Sequence, residues 1–360
     1  MCDRSQAVKD QEIIYMLAGA APLQKYIITR LLTTNNHKGG KNMDVVALGE
    51  LLIDFTENGT SEQGNKIFEA NPGGAPCNVL AMLEKLGRRT AFIGKVGADA
   101  FGHLLADAVA EQGIDTRGMR YDAQIPTTLA FVQTAPDGDR SFSFYRSPGA
   151  DMMLTADEVD TELIRKAKIF HFGSLSLTDP VCEAATRHAI AVAKEAGALI
   201  SYDPNLRKPL WKSMELAEEK IRWGLSQCDL LKISNDEIFF LTGEEDIEAG
   251  VAKLLQEYHI PFVCATMGKS GSRAFFDGQS VAAEPFLRDD TIETTGAGDT
   301  FCACMIDDIL THGIHGRTPE DVKEMLRFAN AAASLITTRK GALRVMPERA
   351  EVEQMLDGEK

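Results

Sequence analysis

The stretch Val45-Val46-Ala47-Leu48-Gly49-Glu50-Leu51-Leu52-Ile53-Asp54 is apolar, β-prone and closed by a carboxylate, so it reads as a strand with an acid at its end. Asn71-Pro72-Gly73-Gly74-Ala75-Pro76-Cys77-Asn78 follows as a glycine turn opening a helix over residues 78–86. The alternation continues with a strand over 90–96, a helix over 101–112, a strand over 169–172, a helix over 181–196 and a strand over 199–203. Such a βαβ series predicts an α/β fold: a central, mostly parallel sheet flanked by helices, with right-handed crossovers. Segments near 65–70 and 127–146 are more polar and alternate without helical periodicity. They read as strands of a small β-lid across the carboxyl edge of the sheet, where open α/β sheets bind ligands.

Farther along, Glu293-Thr294-Thr295-Gly296-Ala297-Gly298-Asp299-Thr300-Phe301 precedes a helix that ends near Gly313. Gly296 and Gly298 let the backbone turn tightly and bring N–H groups close to a ligand. At a helix N-terminus the amides of Gly296, Ala297 and Gly298 can cradle an anion. Asp299 beside them can accept the proton of an attacking hydroxyl while the amides stabilise charge on a transferred phosphoryl group. A plain turn with Asp299 as its N-cap explains the same residues, and the loop alone leaves both readings open.

Taken in order, these motifs resemble the PfkB (ribokinase-like) carbohydrate kinases from about residue 44 to about residue 349. Within the family the likeness is to fructokinases. It is carried by Gly49 to Asp54, by Pro72-Gly73-Gly74-Ala75-Pro76-Cys77-Asn78, by Phe144-Tyr145-Arg146, by Asp203-Pro204-Asn205-Leu206-Arg207 and by the Gly296 to Asp299 loop. The resemblance implies an ATP-dependent sugar kinase acting on a primary hydroxyl, with D-fructose as substrate. The alternative substrate is 2-keto-3-deoxygluconate, whose carboxylate would suit Arg146 and Arg207, although Pro76 leans toward fructose.

The family's roles fall on Asp54, Gly74 and Asn78 for sugar hydroxyls, whose paired donors and acceptors a carboxylate and an amide can read. Phe144 and Arg146 match a closing lid strand, and Arg207 a residue reaching an anionic or hydroxylated end. The nucleotide side takes in Lys232 and Ser234 of Leu230-Leu231-Lys232-Ile233-Ser234-Asn235-Asp236-Glu237, then Thr266, Gly268 and Gly271 of Thr266-Met267-Gly268-Lys269-Ser270-Gly271, and Asn330. Glu237 falls where the family holds Mg²⁺ through water. ATP and Mg²⁺ are the expected cofactors. Potassium is a further candidate near Lys340-Gly341-Ala342, though Glu293 stands where ribokinases commonly carry aspartate. Without the resemblance, Phe144 is a packing aromatic, Glu237 a solvated helix-start residue, residues 266–271 a hairpin turn and Asn330 core packing. A non-catalytic sugar-binding regulator would be expected to lose the base or the glycine loop, and both are intact.

The chain has 360 residues, 44% of them hydrophobic, and a net charge of −15. That is enough to bury one α/β kinase domain over residues 43–360, and the acidity argues against a nucleic-acid partner, which demands a basic face. Seven scattered cysteines without a Cys-x-x-Cys pair suit a reducing cytoplasm. No apolar run approaches the length that crosses a bilayer. The resemblance adds a homodimer through the lid. Residues 1–42 are net basic, match nothing in the family and end just before Met43. They read as a disordered leader or a mis-assigned start, since Lys38-Gly39-Gly40-Lys41 can be encoded by a purine-rich ribosome-binding site, and Asp3, Asp10 and Glu12 are wrong for a transit peptide.

Overall fold

The computed structural model describes residues 42–134 and 140–358; the expectation for the leader falls outside them, apart from Asn42. The chain runs β1 (Met43–Leu48), β2 (Leu52–Thr60), β3 (Lys66–Gly73), α1 (Ala75–Lys85), β4 (Thr90–Gly97), α2 (Ala100–Glu111), β5 (Asp115–Asp122), β6 (Leu129–Thr134) and β7 (Arg140–Tyr145). It continues with α3 (Thr161–Arg165), β8 (Ala167–Gly173), α4 (Pro180–Glu195), β9 (Leu199–Asp203), α5 (Met214–Leu225) and β10 (Leu230–Ser234). Then come α6 (Asn235–Thr242), α7 (Ile247–Tyr258), β11 (Phe262–Thr266), β12 (Ser272–Phe276), β13 (Gln279–Ala283), α8 (Ala297–His312), α9 (Pro319–Ile336) and α10 (Arg349–Asp357).

Nine strands form the central sheet in the order β13-β12-β11-β10-β9-β8-β1-β4-β5, parallel except where β12 turns back. Both faces are covered, which is why its strands read as nearly continuous apolar runs. In β1, Val45 and Ala47 join the apolar layer of Leu80 and Leu83 from α1 and Phe301 and Ile306 from α8. Val46 and Leu48 join the opposite layer, with Ala185 of α4 and Ile221 of α5. Side-chain caps start most of the helices: Asp99 for α2, Asp179 for α4, Ser213 for α5, Ser234 for α6, Asp246 for α7 and Thr318 for α9.

The lid is a four-stranded sheet in the order β3-β2-β6-β7. Its segments lie where the polar alternation placed them, but the run from Val45 to Asp54 is not one strand. It breaks at residues 49–51, and β2 crosses into the lid. Hydrophobicity hides the break because Leu51, Leu52 and Ile53 are as buried as β1 itself. Gly49 permits it: a Cβ there would stand 2.6 Å from Pro76 Cγ.

Arg146, expected on the closing strand, lies instead beneath it as a buried root. Its Nε donates to Asp151 Oδ2 at 2.8 Å, Nη1 to Thr178 Oγ1 at 2.9 Å and Nη2 to the Leu175 carbonyl at 3.1 Å. The ion pair is 3% and 1% exposed, and Thr128 at the foot of β6 donates to the other Asp151 oxygen. Removing one partner leaves the other charge buried and uncompensated, so Asp151→Ala should cost about 3–5 kcal/mol in urea unfolding; a loss below about 1 kcal/mol would mean that the pair is not a root of the lid.

Candidate active site

Strands β4 and β5 lie on one side of β1 and strands β8 to β13 on the other. The carboxyl ends beside such a reversal are where an open sheet leaves a crevice. Two helices begin over it. Their N-cap residues are glycines in backbone conformations that side chains rarely adopt, Gly74 with φ 135° and Gly296 with φ 79°, and neither offers a capping side chain. At Gly74 a Cβ would collide with the Glu50 carbonyl oxygen, 2.4 Å away. The Ala75 amide is taken by Glu50 Oε1 at 2.9 Å. At α8 the Ala297 amide turns back to the Thr294 carbonyl at 3.3 Å. That alters the expected cradle, because the Ala297 N–H is already engaged and the rest of the uncapped first turn, including Gly298, faces the crevice.

Asn78 of α1 and Asp299 of α8 meet there, with Asn78 Nδ2 donating to Asp299 Oδ2 at 2.8 Å. The other Asn78 polar atom, Oδ1, is buried with no partner. Burial raises the Asp299 carboxyl above its ordinary value, while the Asn78 hydrogen bond and the charges of Lys232 and Arg207 oppose the rise. Lys232 lies behind the glycine turn and is paired at 3.0 Å with Asp203 at the end of β9. Arg207 is exposed at the mouth, and its charge acts on Asp299 and Asp54 together.

The lid supplies the opposite wall. Cross-strand register puts Asn71, Asp54, Ala130 and Phe144 in one row, hence on one face. Phe144 therefore shares the face of Asp54, as the closing-strand role requires, while Phe55 and Phe131 stack at 4.8 Å on the other face. Burial pushes Asp54 up to about 7, with Arg207 opposing and Glu293 and Asp299 assisting. Gly73 makes room for it, since a Cβ there would stand 2.4 Å from Asp54 Oδ2.

On the nucleotide side, Ser234 and Glu237 form a capping box on α6. Glu237 is buried rather than solvated: its oxygens accept from Leu206 N at 2.8 Å and from Ser234 N and Oγ at 2.8 Å each. Such a carboxylate fits a cation that keeps its water shell rather than a direct ligand. Among the described residues no cluster of three or more His, Cys, Asp and Glu could hold a metal. Thr266, Gly268 and Gly271 form the turn of the β11–β12 hairpin, with Gly268 and Gly271 at φ 54° and 82°. Asn330 gives its amide to the carbonyls of Ala283 and Glu284, at 3.3 and 2.9 Å, so this side chain clamps α9 to the edge of the sheet. The donor half of the side chain expected on the adenine side is therefore engaged within the protein. The Gly341 amide donates to Glu293 Oε1 at 2.6 Å, joining the two segments named for potassium.

Where the uncapped turn faces the lid, the chain is that of a sugar-phosphorylating enzyme: it belongs to the pfkB family of carbohydrate kinases, whose pattern matches residues 42–349. It is 43% identical to the probable fructokinase-2 of Arabidopsis thaliana over 309 residues, 85% of this chain and 94% of the relative. A solved fructokinase from Xylella fastidiosa with bound ATP superposes with a TM-score of 0.80 at 31% identity, covering 88% of this chain and 98% of that one. The fructokinase from Vibrio cholerae O395, in a form with fructose, ADP and calcium bound, gives 0.77 at 28% identity over 87% and 99%.

Glu50 escaped the sequence-based assignment, although a carboxylate two residues past a buried strand was a signal. Burial pushes it up to about 7 from 4.5, with its backbone hydrogen bonds opposing. The folded state then holds a proton that the unfolded chain releases, so this contribution to stability is complete below about pH 4.5 and is lost as pH rises through about 7. Glu50→Gln should therefore gain melting temperature over the parent at pH 8 and give up that advantage toward pH 5. A difference between the two that is constant across this range would refute the assignment.

Proposed function

We propose that the protein is a fructokinase, transferring the γ-phosphoryl group of ATP to a primary hydroxyl of D-fructose. The contact between Asn78 and Asp299 at the uncapped start of α8 carries this reading. It puts a hydrogen-bonded base beside amides that need an anion, with an unpaired amide oxygen ready to orient a hydroxyl. The substrate hydroxyl gives its proton to Asp299, its oxygen bonds to the γ-phosphorus, and the bridging P–O bond breaks with its electron pair leaving on ADP. Asp54 and Phe144 close over the sugar from the lid and exclude water. When bound with ATP, Mg²⁺ would neutralise phosphate charge, with Glu237 steadying its water shell.

One observation favours fructose over 2-keto-3-deoxygluconate. Arg146 is spent on Asp151, Thr178 and Leu175, and Arg207 alone is left open for a carboxylate. The finer parts of the proposal are a potassium ion at the Glu293–Gly341 junction, a reducing cytoplasm for the six buried free cysteines, and a second copy packed on the outer face of the lid, where Tyr145 is 66% exposed beside Phe131. No helix among the described residues is long and apolar enough to cross a membrane.

ADP release with Mg-ATP should be stimulated by fructose more than by 2-keto-3-deoxygluconate, ribose or adenosine at matched concentration. Asp299→Asn should keep the fold and lower turnover by roughly 10²–10⁴. Turnover with the keto acid alone would reassign Arg207, and no turnover with any of the four would leave a sugar-binding protein.

A further inference from the structure

Lys232 and Asp203 form an ion pair that is 8% and 4% exposed. Desolvation makes such a pair a poor source of stability, because well-packed apolar residues of similar volume do as well or better. Its position is the informative part. Lys232 stands in β10 opposite Cys264 of β11, and the neighbouring Leu230 belongs to the apolar layer that packs against α8 with Cys264 and Cys302. The lysine is thus buried beside that apolar layer with Asp203 as its partner, and its ammonium stands against the glycine turn: a Cβ added at Gly298 would lie 3.0 Å from Lys232 Nζ. Gly298 gives the loop a surface thin enough for a ligand in front and a cation behind to act on each other.

We infer that Lys232, locked by Asp203, is a positioning residue for phosphoryl transfer, placing a fixed buried positive charge behind the Gly296–Asp299 turn that serves both the base and the transferred group. This rests on the kinase assignment above and adds a residue that need not touch ATP. Charges in an apolar, water-free setting act far more strongly than in solvent. The ammonium adds to the helix-terminus field when the γ-phosphoryl group is held in front of the amides. It also favours the ionised form of Asp299, the form that can take the hydroxyl proton.

Several groups face Asp299, and they divide by sign. Asn78 from α1, Lys232 from β10 and Arg207 from the segment after β9 favour its charged state. Asp54 from the lid and Asp203 from β9 oppose it. Burial works against the Lys232 charge, and the Asp203 and Glu237 carboxylates outweigh it, so the lysine stays protonated through the working range.

The test is Lys232→Met, assayed for kcat and for KM of ATP and fructose from pH 5.5 to 9, a range set around the usual enzyme optimum. Expected are a loss of about 10²-fold in kcat at neutral pH, a KM for ATP close to that of the parent, and an acidic limb of kcat/KM displaced to higher pH. Because the single variant leaves Asp203 buried without its partner, Lys232→Met/Asp203→Asn is measured beside it as the better-folding version; it also removes the opposing Asp203 charge, so a smaller displacement in the same direction is expected. Circular dichroism and melting temperature establish which variants are folded. A folded variant whose acidic limb coincides with that of the parent overturns the inference, as does one whose only change is a raised KM for ATP, which would make Lys232 a nucleotide contact. Failure of the kinase assignment looks different: the parent itself would not turn over.

Discussion

The hydrogen bond from Asn78 to Asp299 joins two helix starts that are 221 residues apart in sequence, and the geometry of the crevice follows from it. Each helix begins at a glycine whose backbone conformation suits few other residues, so each start can be placed against the sheet without a capping side chain in the way. Most other helices of the chain spend an aspartate, serine or threonine at this position. By omitting it at α8, the protein leaves backbone donors unsatisfied where an anion is to be held and puts the carboxylate in the first turn instead of at the cap.

The lid depends on the same constraint from the other side. Glu50 sits at the break between β1 and β2, holds the first amide of α1 and presses its carbonyl against Gly74. The strand that enters the lid and the helix that carries Asn78 are therefore pinned by one residue. Arg146 and Asp151 fix the return of the lid below β7, so the row that carries Asp54 and Phe144 is suspended between two buried polar anchors. Both anchors are polar groups removed from water, and each is tolerable only because its hydrogen bonds are made.

Much of the fold was legible because apolar runs and glycine turns are local signals. The helices after residues 77, 100 and 180 and the strand at 199–203 lie within a few residues of their expected places. The split of the first strand was hidden, because burial continues across it and hydrophobicity cannot report a change of sheet. The antiparallel turn-back at β12 was legible only as a hairpin turn at residues 266–271, without the strands it joins, since their pairing is a property of two segments. The structure brings Asp54, Asn78 and Asp299 to one crevice, with Gly74 at the start of the helix that carries Asn78 and Phe144 in the row of Asp54. Arg146 and Asn330 do not join them, because partners distant in sequence, Thr178 for one and the carbonyls of residues 283 and 284 for the other, claim their donors. Lys232 is buried in its pair with Asp203 against Gly298, a depth that no motif records.

The lid register has a consequence for how this protein can change over evolutionary time. Asp54 and Phe55 are neighbours in sequence but point to opposite sides of a sheet, one toward the crevice and one into the aromatic stack. Inserting or deleting a single residue in β2 without a compensating bulge would exchange the two sides, putting rings on the side of Asp54 and a carboxylate among the rings. Substitution along the row, or length changes in steps of two, keep each residue on its own side, and an odd-numbered change in β2 does so only where a bulge absorbs it, as the register shift between Glu57 and Thr60 already does.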